Sequence, residues 1–104
     1  MTQERDLGAL AASDLMGRLG DWFELVAPVG EPFKIRLAEV TEHPHLPQAA
    51  ERRRGFSAMF ESDRPGLLPQ STYRVTHPEL GALDLFLVPL GPRGGQMRYE
   101  AVFN

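Results

Sequence analysis

Three histidines are the residues of this chain best equipped to move a proton or ligate a metal. His43 and His45 flank Pro44, with Glu39, Glu42 and Glu51 close by in sequence. Imidazoles beside carboxylates form a donor set that a divalent metal accepts. A zinc site, however, needs three or four ligands converging from fixed elements. Here the candidate ligands sit in a proline-containing connection with few apolar residues, so the plainer reading is a pair of exposed loop histidines. His77, with Ser71 and Asp84, matches a nucleophile triad by residue type. No Gly-x-Ser-x-Gly elbow leads into a helix, and Pro78 holds His77 in a turn. The expectation is a turn histidine bonded to nearby backbone, with no catalytic residue, no metal and no cofactor.

Two further stretches carry charge or glycine in a suggestive order. Arg52, Arg53 and Arg54 form a short basic run that could hold a phosphate or an acidic protein face. Its ordinary role is a solvated face paired with Glu51 or Glu61. Residues 91–95, GPRGG, are glycine-rich, but no helix follows to supply an N-terminal dipole, so they read as a hairpin turn rather than a phosphate loop.

Strands must position these groups. In residues 83–90 Leu83, Leu85 and Leu87 share one face, and Phe86, Val88 and Leu90 the other, because side chains alternate with period two. Both faces being apolar, this strand is expected to be covered on both sides. Pro89, Gly91 and Pro92 stop the run too early for a helix. Tyr73 and Val75 alternate with Thr72, Arg74 and Thr76 in the strand before it. The turn between them is chemically specified: His77 before Pro78 is held extended, and Gly81 permits a positive φ.

Further strands follow from the same periodicity. Phe23 and Leu25 mark 22–26, and Phe33, Ile35 and Leu37 mark 33–40, the two forming a hairpin. Phe56, Ala58 and Phe60 mark 55–62, and Met97, Tyr99, Ala101 and Phe103 mark 96–104. Residues 1–20 form a helical N-terminal extension, with Ser13 and Asp14 as N-cap candidates for a short helix over 15–19 that Gly20 closes. Residues 41–54 are the longest connection and, by length, the expected flexible or functional loop. The expected architecture is all-β: one domain over 1–104, an antiparallel meander of about six strands closing into a barrel or splitting into a sandwich, with a short N-terminal helix. Aromatic residues build the core, and Trp22 and Phe86 are the candidates for exposure, each lying opposite the better-defined core face of its strand.

Composition excludes several classes. The chain of 104 residues has no cysteine, so it carries neither disulfides nor thiolate chemistry. Its length suffices to bury roughly 60–70% of the unfolded surface. A formal charge of −3 argues against a nucleic-acid or anionic-membrane partner. The polar, acidic N-terminus does not read as a signal peptide, and no apolar run approaches the roughly 20 residues of a membrane helix. A cytoplasmic protein is expected.

The ordered segments FSAMF at 56–60, LPQSTYRVTHPELG at 68–81, LDLFLVPLG at 83–91 and YEAVFN at 99–104 resemble a small bacterial domain family of unknown function. The resemblance runs from about Phe23 to the C-terminus; the N-terminal segment and the arginine run do not match it. It implies a β-rich domain and, because some members are encoded near phage-tail-like collar proteins, a link to tail-like assemblies. It carries over no catalytic residue.

The leading functional expectation is a non-enzymatic interaction or assembly module, accessory to a phage-tail-like particle, acting through a protein partner or as a homo-oligomer. Its candidate surface is Trp22, Arg52, Arg53, Arg54 and Phe86. One alternative is a small-ligand barrel whose mouth is lined by Tyr73, Arg74, Arg98 and Tyr99. Another is a hydrolase or metal-dependent enzyme using the histidines.

Overall fold

Period-two alternation of apolar and polar residues becomes, in the computed structural model, the wall of a barrel. The structure describes residues 12–26, 32–43, 55–63 and 68–103. A short helix, α1 (Ala12–Met16), precedes six strands: β1 (Trp22–Val26), β2 (Phe33–His43), β3 (Gly55–Ser62), β4 (Ser71–His77), β5 (Gly81–Arg93) and β6 (Gln96–Phe103). They close in the ring order β1-β2-β3-β6-β5-β4, and every neighbouring pair is antiparallel. Closure removes the unpaired edges that an open sheet would expose.

The barrel interior is filled by one side chain in two from each strand. Phe23 and Leu25, Ile35 and Leu37, Phe56, Ala58 and Phe60, Tyr73 and Val75, Leu83, Leu85 and Leu87, and Tyr99, Ala101 and Phe103 are all buried in one cluster. Phe23 meets Phe60 edge-on at 5.4 Å between ring centroids, and Phe56 stacks on Phe103 at 4.5 Å. Both are spacings that aromatic quadrupoles favour. Leu15 and Ala12 of α1 join this cluster, and the helix packs against β2 and β3.

Connectivity departs from a simple meander. Each half of the chain is one, β1-β2-β3 and β4-β5-β6, but β3 and β4 stand at opposite places in the ring. Leu68 and Pro69, which lead into β4, are fastened by two tyrosines. The Leu68 amide donates to the Tyr99 hydroxyl at 3.2 Å, and the Tyr73 hydroxyl donates to the Pro69 carbonyl at 2.6 Å. Leu68 packs on the core beneath.

Three expectations change. Strand β5 is covered on its inner face only: Leu83, Leu85 and Leu87 are buried, but Phe86 is 50% and Leu90 42% exposed. The helix begins at Ala12, so Ser13 and Asp14 lie inside it, and 17–20 form a turn ending at Gly20. Strand β2 continues to His43, which takes residues 41–43 out of the expected loop because they pair with Ser57, Phe56 and Gly55. A register shift between Leu37 and Glu39 leaves Ala38 unpaired on the way, a bulge that bends the strand. A second bulge, between Pro89 and Gly91, lets a proline sit in β5 where a regular ladder would need its N–H.

Candidate functional site

The turn that joins β4 to β5 gathers the most polar chemistry among the described residues. Pro78, Glu79 and Leu80 reverse the chain between paired His77 and Gly81, and Gly81 takes φ 82°, a left-handed conformation costly to any residue with a Cβ. His77 is 5% exposed and points inward. Its Nδ1 accepts from the Glu79 amide at 3.0 Å and the Leu80 amide at 3.2 Å. An Nδ1 that accepts two N–H groups carries no proton, so the hydrogen sits on Nε2 and is donated to Asp21 Oδ2 at 2.8 Å. The ring lies against Phe23 at 4.7 Å. Arg18 adds a second tie, reaching Glu79 at 2.6 Å. The segment after α1 is thereby docked on the turn.

This is the bonding of a structural histidine. Both nitrogens are engaged within the chain. Ser71 lies at the far end of β4, six residues from His77 or roughly 20 Å along a strand. Asp84 is not the carboxylate beside it: Asp84 is the cross-strand partner of Arg74 and takes a two-pronged bond from it, Nε to Oδ1 at 2.9 Å and Nη2 to Oδ2 at 3.0 Å. That bond is the main reason the Asp84 carboxyl is held below its ordinary range; slight burial opposes it and the Arg74 charge assists. A carboxyl lowered in the folded state stabilises above its unfolded value and loses that contribution as the pH falls through the folded one. Arg74→Ala is therefore expected to give a shallower loss of stability on acidification from pH 5 to 2, read from thermal melts. The pair being exposed, the effect is small; an unchanged acid limb would remove the bond from the account.

The remaining sequence candidates separate. Residues 44–54, with His45, Arg52, Arg53 and Arg54, lie outside the described residues, and His43 is placed by its backbone at the end of β2. Among the described residues, no three histidine or carboxylate side chains gather as a metal would require. The proposed barrel mouth is dispersed. Tyr73 and Tyr99 are buried and their hydroxyls hold Leu68 and Pro69, while Arg74 and Arg98 belong to the outer-facing set of β4 and β6. Burial is also the chief cause that raises the Tyr73 phenol above its ordinary value, with Tyr99 adding to it.

Trp22 and Phe86 are the aromatic side chains left substantially exposed among the described residues, at 48% and 50%. They do not form one patch. Their strands are separated in the ring by β4, and the registers put Trp22 about six residues further along that strand than Phe86, again roughly 20 Å. Phe86 has the apolar company. Val88 and Leu90 follow it on the outer side of β5, and Val102, 51% exposed, stands on the outer side of neighbouring β6.

A family model for a domain of unknown function, DUF6916, matches residues 10–103. The chain belongs to this family. No curated protein matches it, and no solved structure does. The DUF6916 match begins ahead of α1, so it includes the N-terminal segment that the sequence resemblance left out. The docked Arg18 and Asp21 therefore fall within the family domain. Neither the alternation pattern nor the turn chemistry pointed to Asp21 as the partner of His77. The two are 56 residues apart, and only the ring closure of β1 on β4 brings them together.

Proposed function

We propose that this domain is a non-enzymatic protein-contact module, and that its contact surface is the outer wall of β5 and β6. One observation carries the reading. Phe86, Leu90 and Val102 remain about half exposed on adjoining strands, while the interior beneath them is packed with its own side chains. Exposed apolar groups gathered on one wall mark an interaction site more often than single ones do. Among the described residues, His77 and the two tyrosines are occupied in holding the β4–β5 turn and the residues that lead into β4. An accessory place in a phage-tail-like particle is the setting suggested by the sequence resemblance.

A photoreactive amino acid installed at position 86 tests this in the cells that make the protein. The control is the same probe at Lys34, exposed on β2, which stands opposite β5 in the ring. Covalent protein adducts from position 86 but not from position 34 are the expected result. Adducts from neither, or equally from both, would defeat the assignment of this wall.

A further inference from the structure

We infer that the occupant of the β5–β6 wall is a second copy of this chain, bound as a two-fold dimer. This rests on the contact-module reading and adds the partner. The decisive residues are Arg98 and Glu100, on the outer-facing side of β6. Arg98 is the cross-strand neighbour of Glu61, but Glu61 is engaged by Arg36 at 2.7 Å. Its neighbour on the other side is Gly91, which offers no side chain. Among the described residues, the Nε of Arg98 has no hydrogen-bond partner. Glu100 stands between Met59 and Val88, neither of which can donate to it. Among the described residues, no ion pair engages Arg98 or Glu100.

Two charges of opposite sign, spaced by two on one strand face and without an ion pair among the described residues, are self-complementary. A two-fold axis lying between two such walls, perpendicular to β6 at the level of Tyr99, lays β6 antiparallel across β6 of the other copy. Arg98 of each chain then meets Glu100 of the other, twice by symmetry. The same axis lays β5 across β5. Tyr99 is paired with Pro89, so the axis also passes at Pro89 and sets Val88 of one chain against Leu90 of the other. Phe86 and Val102 extend the apolar contact at each end. The bulge at Leu90 fits this account, because it adds an apolar residue to the wall without breaking the pairing of Arg98 with Gly91. One operation thus covers the apolar residues and supplies both charges with partners, which is the electrostatic matching that selects partner and register.

Sedimentation equilibrium of the purified full chain, over a range of concentrations, is the test. The wild type is expected to be a dimer. Arg98→Glu places carboxylate against carboxylate, and Glu100→Arg places guanidinium against guanidinium, so each is expected to weaken association by about tenfold or more. The double exchange restores the dimer, and mixing the two single variants yields a heterodimer. Circular dichroism melts establish that each variant is folded. A dimer indifferent to both single reversals overturns the inference. So does a monomeric wild type. A monomer whose position-86 probe captures a different protein leaves the contact-module reading standing; a monomer with no capture overturns both.

Discussion

Phe23→Ala lowers the unfolding free energy by about 3–5 kcal/mol, the range for emptying a buried phenylalanine site. The ring is fully buried and sits between two others, edge-on to Phe60 at 5.4 Å and tilted against His77 at 4.7 Å. Its loss removes the transferred apolar area and leaves a cavity in a closed barrel whose walls are hydrogen-bonded on both sides and cannot collapse inward. For a domain of this size the total stability is on the order of 5–15 kcal/mol, so the variant is expected to sit near its unfolding threshold at room temperature. Urea unfolding followed by far-ultraviolet circular dichroism reads the change. A loss under about 1 kcal/mol would mean that the interior is not packed as described.

His77→Leu is the second large effect, with an expected loss of about 2–4 kcal/mol from two buried or half-buried amides left without an acceptor and a carboxylate without its donor. His77→Asn separates these contributions. Its side-chain oxygen falls near the position of Nδ1 and can accept from the Glu79 and Leu80 amides, but the amide is too short to reach Asp21. It should recover a clear part of the leucine variant's loss. Asp21→Ala should then cost little beyond what the asparagine variant shows, since both remove the same contact. Equal losses for leucine and asparagine would show that the turn does not depend on the acceptor.

His77 also shows how much of this structure was legible in the sequence. Its role in the turn follows from the local run His77-Pro78-Glu79-Leu80-Gly81, because the groups that bond Nδ1 are two and three residues away. Asp21 was invisible, since nothing local joins it to position 77. Strand positions were readable for the same reason: alternation of Phe23 and Leu25, or of Tyr99, Ala101 and Phe103, is a property of neighbours. Strand order was not, because the pairing of β3 with β6 and of β1 with β4 depends on which distant surfaces fit. The outer side of β5 marks a third limit. Periodicity shows that Phe86, Val88 and Leu90 share a face, but not what stands on the far side of it. Two apolar faces read as a strand covered on both sides, by its own chain or by a partner, and the chain covers one. The helix shifted toward the N-terminus for a related reason. Ser13 and Asp14 have good capping chemistry, but burying both Ala12 and Leu15 starts the turn earlier.

The order of strands around the ring governs how quickly this barrel assembles. Two three-stranded units can each zip up from local hairpins within microseconds. Neither can bury its inner face alone. Sealing the ring requires β1 to find β4 across separations such as the 52 residues between Glu24 and Thr76. That search carries the loop-closure entropy of a non-local topology and places refolding in the millisecond-to-second range expected of β-barrels rather than of helical domains. Until the ring seals, each half presents two unpaired strand edges beside its bare inner face, so the half-formed barrel, rather than the finished one, is the species most exposed to mispairing.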